Sequence, residues 1–161
     1  MKLTTGVKWG LVAGLVVGVL AGVLAYMSVM SVLDALVEYA YQEMVKMGTP
    51  QAQARQAAEL TRQIAPPSAF AGGIVGNVII YLIMGLVMAA VWERLKLPWY
   101  AKGALFGVVL TVLLSLPSLI SPPPPPDIPM PPAVYGYAST ALNFAGPILL
   151  AWLLNRAAGR A

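Results

Sequence analysis

Two asparagines and a proline offer the most chemistry in an otherwise apolar chain. Asn77 and Asn143 each place two amide donors and an acceptor inside a long hydrophobic run. Pro147 has no N–H, so the carbonyl of Asn143, four residues earlier, loses its helical partner, and Gly146 permits a kink. A freed carbonyl beside an amide, deep in a membrane-crossing helix, is how broken helices hold ions or small solutes in transporters. It is also common in structural helices, where a neighbouring Ser, Thr or Asn satisfies the carbonyl. Ser28, Thr111 and Ser115 add hydroxyls at comparable depth. At 1.5 Å per residue, Asn77, Asn143 and Thr111 lie about 12, 15 and 14 Å from the same end of their spans, and Ser115 and Ser28 about 8 Å. The expectation is one polar layer of Ser28, Asn77, Thr111, Ser115, Asn143 and Pro147, facing inward because amides do not favour lipid.

Other chemistry is thin. The chain has no Cys and no His, which removes thiolate nucleophiles, disulfides, the commonest metal ligand and the commonest general base. Gly72-Gly73-Ile74-Val75-Gly76 is glycine-rich, but no Lys-Ser/Thr follows it, so it does not read as a phosphate loop. A proton-coupled exchanger needs an intramembrane carboxylate, and the nearest candidate, Asp34, falls at the rim of a span. These absences point to a protein that is not an enzyme, with no catalytic residues, metal or cofactor. The net charge of +4 comes from basic residues scattered around apolar runs, not from a patch fit for nucleic acid.

The elements that carry these residues must be membrane helices. Hydrophobic residues make up 59% of the 161 and charged residues 10%, against about 45–50% and 25% in soluble domains. Four apolar stretches, 9–33, 69–92, 101–120 and 133–154, reach the roughly 20 residues that a hydrocarbon core requires. They read as an all-α integral membrane protein of four transmembrane helices arranged as two hairpins in a single polytopic domain. The first stretch is too long for a signal peptide and reads as a retained helix. From Leu33 to Met47 a 3–4 spacing of Leu36, Val37, Ala40, Tyr41 and Met44 continues it as an amphipathic helix. Gly48 stops it, and Thr49-Pro50 opens an outer helix over 50–64. Pro66-Pro67 should end that helix and Ser68 cap the second span. The result is an extracytoplasmic helical hairpin whose Tyr39, Tyr41 and Met44 could serve a partner. Residues 121–132 hold eight prolines, a polyproline loop spanning the outer face. The short connection 93–100 makes the second and third spans antiparallel neighbours.

Charge fixes the expected orientation. With the N-terminus cytoplasmic, the inside segments hold Lys2, Lys8, Arg94, Lys96, Lys102, Arg156 and Arg160, and the outside ones only Lys46, Arg55 and Arg62. The positive-inside rule then places both termini in the cytoplasm of a multi-pass protein of the cell membrane. Trp9, Trp92, Trp99 and Trp152 all fall at that face as interfacial anchors.

The sharpest pattern is a glycine zipper. Gly6, Gly10, Gly14, Gly18 and Gly22 recur every four residues, Gly103 and Gly107 repeat the GxxxG idea in the third span, and Gly72 and Gly76 in the second. Such stripes let helix backbones approach closely, within one chain or between copies. Gly6, nearest the interface, is expected to be the least demanding of the series. Lys8-Trp9-Gly10-Leu11-Val12-Ala13-Gly14 and Lys102-Gly103-Ala104-Leu105-Phe106-Gly107 align as the starts of a 2+2 parallel repeat. The reading is a non-enzymatic four-span protein in the lipid bilayer that acts through helix packing, as a small homo-oligomer or a subunit of a membrane complex. The alternative is a small-solute channel or carrier that uses the layer around Asn77 and Asn143.

Overall fold

The computed structural model describes residues 1–120 and 127–159, with the side chains of all but 117–119. These residues are all-helical, in five helices: α1 (Leu3–Met30), α2 (Leu33–Lys46), α3 (Gln51–Val91), α4 (Trp99–Ile120) and α5 (Ala133–Ala158). All but α2 are long and apolar enough to cross a membrane. A helix suits such runs because it satisfies every backbone group within the segment. The prolines at 122–126 and Arg160 lie outside the described residues. Pro132, at the end of the expected polyproline loop, has φ −52° and ψ 138° and precedes α5 directly, close to polyproline II geometry.

α1, α3 and α5 form the centre, with α1 in contact with both of the others. α4 packs against α5, and α2 against the first part of α3. The main core joins Ala13 and Val17 of α1, Tyr81, Met84 and Met88 of α3, Leu110 of α4, and Leu150, Ala151 and Leu154 of α5. A smaller cluster of Leu33, Val37 and Ala58 holds α2 to α3. Ion pairs reinforce it, with Asp34 on Arg62 at 2.7 Å and Glu38 on Arg55 at 3.5 Å. These pairs are exposed and each adds little stability, but their order fixes α2 antiparallel to α3.

Three boundaries differ from the sequence expectation. The first apolar helix does not run on to 47. It stops at Ser31, whose hydroxyl donates to the Ser28 carbonyl at 2.6 Å, and Val32 (φ −127°, ψ 12°) separates α1 from α2. A serine that bonds back to a carbonyl offers the backbone a competing partner. Next, the outer helix and the second span are one helix of 41 residues, α3, which passes through Pro66 and Pro67. The two prolines free the carbonyls of Arg62 and Gln63, and both of those residues are exposed, so water can take the bonds. Ser68 is therefore an interior helical residue and not a cap. Finally, α3 begins at Gln51 with Pro50 as N-cap, one residue later than expected.

Gly48 does stop α2. At φ +86° it takes the left-handed conformation, its N–H reaches the Val45 carbonyl at 3.0 Å, and the Thr49 N–H reaches that of Met44 at 3.0 Å. This is a Schellman cap, which favours glycine for lack of a Cβ.

Candidate functional site

The close approach of α1 to α3 is built on glycine. A Cβ added at Gly6 would strike the Gly85 carbonyl oxygen, and one at Gly10 the Tyr81 carbonyl oxygen. At Gly14 it would lie 2.9 Å from the Val78 Cα, at Gly18 3.0 Å from the Ile74 oxygen, and at Gly22 2.7 Å from the Phe70 oxygen. Each step of four up α1 is thus matched by a similar step down α3. The seam runs from Gly6 to Gly22, about 24 Å at the helical rise. Gly6 is as tightly fitted as any member, against the expectation that the end position would be lenient.

On α3 the glycines that meet α1 are Gly73 and Gly85. A Cβ at Gly73 would lie 2.6 Å from the Gly22 Cα, whereas Gly72 and Gly76 have open space around theirs. Gly72 and Gly76 therefore take no part in packing within the chain among the described residues. They share a GxxxG spacing, but the helix is rotated so that the 73–77–81–85 face meets α1. The bulk of Asn77 and Tyr81 on that face hides it from a search for small residues. Gly103 and Gly107 turn toward α5, where a Cβ would lie 2.7 Å from the Ile148 Cα and 2.7 Å from the Phe144 oxygen respectively.

Tyr81, which the sequence reading did not single out, occupies the junction of α1, α3 and α5. It is 0% exposed. Its backbone lies on Gly10, its Cβ meets Gly14, and its hydroxyl rests where a side chain on Gly146 would sit. Gly146 and Pro147 are both buried, and α5 stays helical through them. Among the described residues the Tyr81 hydroxyl has no hydrogen-bond partner, and neither has the Thr111 hydroxyl. The signal for Tyr81 was available: it is a tyrosine in mid-span, away from the interface belts where tyrosine concentrates, four residues from Asn77.

The expected polar layer is distributed over several interfaces. Asn77 faces α1 beside Gly14 and Gly18, and its amide donates to the Gly73 carbonyl of its own helix at 2.8 Å. Ser28 lines a groove of about 380 Å³, at the end of the bundle where α1 finishes and α5 begins, with Leu24, Met130, Pro132 and Tyr135. Thr111 borders a groove of about 480 Å³ between α4 and α5 with Val108, Tyr137, Thr140 and Phe144. The Ser115 hydroxyl donates to the Thr111 carbonyl at 2.8 Å. Asn143 is half-buried on α5, one helical turn before Pro147. Among the described residues no hydrogen bond joins Asn77 to Asn143 or Thr111.

The joined ends of α3 and α4 show a different kind of contact. Lys102 is only 7% exposed. Its ammonium donates to the carbonyl of Trp92, the C-cap of α3, at 2.7 Å and lies 4.2 Å from the centroid of the Trp92 ring. A cation there meets the negative end of the helix dipole and the face of an indole. Lys102 is therefore a clasp between α3 and α4, not a side chain reaching for headgroups. Trp92, 9% exposed, is correspondingly part of the core and not an interfacial anchor. Trp9 and Trp99 pack against the core's edge, and Trp152 is 38% exposed. All of these tryptophans lie at one end of the bundle, where α1 and α4 begin and α3 and α5 finish.

Beyond the clasp, α3 and α4 diverge, and their backbones barely touch. Gly103 and Gly107 have committed α4 to α5. The space left between is an apolar groove of about 290 Å³, bordered by Ile80, Ile83, Met84 and Val87 of α3 and by Phe106, Val109, Leu110 and Leu113 of α4. The two helices are thus neighbours across this groove, without the close backbone approach that glycine gives α1 with α3. Among the described residues no cluster of acidic side chains could hold a metal ion. No family model, curated protein or solved structure matches the chain.

Proposed function

We propose that this is a non-enzymatic, multi-pass protein of the cell membrane that acts by helix packing, with the α3–α4 groove as its docking face for a transmembrane helix of a second copy or of a larger complex. The observation that carries this reading is the groove itself. Two helices joined by a short connection are held apart along most of their length, and the walls between them are Ile, Val, Leu, Met and Phe. In lipid, helix association rests on dispersion and shape, so a preformed groove between helices is where another helix gains most. Both termini lie in the cytoplasm in this reading, and the α2–α3 arm is extracytoplasmic. Support comes from the tryptophans at the terminal end and from the basic residues around them. The 2+2 repeat is favoured by one parallel: the glycines of α1 fit α3, and those of α4 fit α5.

The absence of native Cys makes the test clean. A single Cys at Ile83 or Val109 should form a disulfide-linked dimer, or a crosslink to a co-purifying membrane protein, under mild oxidation in native membranes. A Cys at Val75, on an exposed α3 face, should not. Equal and low crosslinking at all three positions would overturn the reading.

A second reading, a channel or carrier for a small neutral solute, is favoured by the Tyr81 hydroxyl, which is buried beside Gly146 and Pro147 with no partner among the described residues. It predicts that reconstituted protein conducts a small polyol or amide, and that Tyr81→Phe abolishes the flux.

A further inference from the structure

At the end of the bundle where α1 begins and α5 finishes, a cleft of about 160 Å³ is lined by Trp9 of α1 and by Trp152, Leu153, Arg156 and Ala157 of α5. Each indole carries a cation. The Lys8 ammonium is 5.5 Å from the centroid of the Trp9 ring, and the Arg156 guanidinium carbon is 4.8 Å from that of Trp152. Neither cation has a carboxylate partner among the described residues. The ion pair at this end joins Glu93 to the amino group of Met1, and the others lie in the α2–α3 arm. Asp34, Glu38, Glu43, Glu59 and Asp127 all belong to the opposite end of the bundle.

Arg156 lines the cleft and Lys8 lies over the ring of its Trp9, so two positive charges with no carboxylate partner among the described residues focus a positive potential there. Arginine supplies a planar fork that matches a phosphate, and lysine a mobile point charge. The floor is apolar, since Trp9 and Leu153 both pack on the main core. Basic side chains, indoles and an apolar backing are the three kinds of surface that the phosphate, glycerol and acyl chain of a phospholipid would meet. The adjoining groove, bordered by Lys2, Thr5, Trp92 and Glu93, is a poorer match because a carboxylate lines it.

We propose that this cleft is a binding site for the phosphate of an anionic phospholipid, gripped by Lys8 and Arg156 and flanked by Trp9 and Trp152. The recognised chemistry is a phosphodiester anion. The apolar floor points to a lipid as its source and not to an ion free in solution.

The test uses the full-length chain in phosphatidylcholine nanodiscs. Acyl-brominated phosphatidylglycerol or acyl-brominated phosphatidylcholine is introduced at rising mole fraction, and quenching of tryptophan emission is read. The anionic lipid should quench at mole fractions lower by on the order of tenfold at low ionic strength, and the preference should shrink as salt rises. Lys8→Gln with Arg156→Gln should bring the two lipids to equal potency, with helicity by circular dichroism unchanged. Arg94→Gln with Lys96→Gln, basic residues outside the cleft, should keep the preference. Trp9→Phe with Trp152→Phe should lose the preferential component of the quenching. Equal quenching by both lipids in the parent chain would overturn the proposal, as would a preference that survives the Lys8 and Arg156 changes. Loss of the preference on adding millimolar inorganic phosphate at constant ionic strength would assign the cleft to the free ion and refute the lipid.

Discussion

Gly10→Ala and Gly76→Ala form a matched pair that isolates the α1–α3 seam. Both add one methyl group in the interior of a membrane-crossing helix, and both gain the same helical preference, about 1 kcal/mol in aqueous hosts. They differ only in what the methyl meets. At Gly76 there is nothing within 4 Å. At Gly10 the methyl would strike the Tyr81 carbonyl oxygen and lie 3.2 Å from the Leu82 Cα. Both obstacles are backbone, so no side-chain rotation relieves them. The helices must separate by about 1 Å, and a gap of that size forfeits up to half of the dispersion well of each contact pair around it. Overpacking of this kind costs about 1–3 kcal/mol. The propensity gain cancels in the comparison, so Gly10→Ala should be less stable than Gly76→Ala by about 1–3 kcal/mol. The assay is reversible unfolding in mixed micelles as the fraction of dodecyl sulfate rises, followed by circular dichroism and by the emission of buried Trp92. Gly6→Ala should fall with Gly10→Ala, because its methyl would strike the Gly85 carbonyl. A Gly10→Ala protein as stable as Gly76→Ala refutes the seam.

Lys102→Met keeps the length of the side chain but removes the charged hydrogen bond to the Trp92 carbonyl, a loss of about 1.5–3 kcal/mol. Unfolding midpoints should drop and, in a background with Trp9, Trp99 and Trp152 replaced by Phe, the emission of the remaining Trp92 should shift to the red; an unchanged spectrum would count against the clasp. Tyr81→Phe removes a buried hydroxyl with no partner among the described residues and, in a tightly packed junction, should leave stability equal or raise it by about 1–3 kcal/mol. A marked fall in melting temperature would favour a bound solute over packing. Pro67→Ala restores an N–H to the Gln63 carbonyl and should stabilise α3, by up to about 3 kcal/mol; slower hydrogen exchange around Gln63 checks it. Asp34→Asn with Glu38→Gln should change global stability by less than about 1 kcal/mol, since these pairs are exposed, while proteolysis between α2 and α3 accelerates.

What could be read in the sequence was what a single helix decides for itself. Unbroken apolar runs specify spans, Gly48 specifies a cap, and five evenly spaced glycines specify a close neighbour. The partner and the rotation of each helix are properties of pairs. The face of α3 that meets α1 mixes Gly73 and Gly85 with Asn77 and Tyr81, so a search for small residues settled on Gly72 and Gly76, which point elsewhere. Pro66-Pro67 looked like a boundary because proline removes two hydrogen bonds. It is not one, because those bonds belong to a level where water replaces them and where α2 steadies the helix before the prolines. Lys102 looked like a snorkelling residue because its position at a span end is the usual place for one. Only the nearby end of α3 gave it a buried partner.

The continuity of α3 also has a mechanical meaning. At 1.5 Å per residue it is a rod about 60 Å long, of which the first third lies along α2 and the rest along α1. A loop between the arm and the span would have absorbed any displacement of the arm. A continuous helix transmits it. Tyr81 lies about 22 Å further along the rod from Pro66, where the three central helices share one contact. A displacement of the arm would be carried along α3 toward that contact, past the proline pair, where two backbone hydrogen bonds are missing. The glycine seam holds α3 tightly along this length, with the side chains of Phe70, Asn77, Tyr81 and Ala89 seated against the glycines of α1. One rigid element thus joins the α2 arm to the junction of the three central helices.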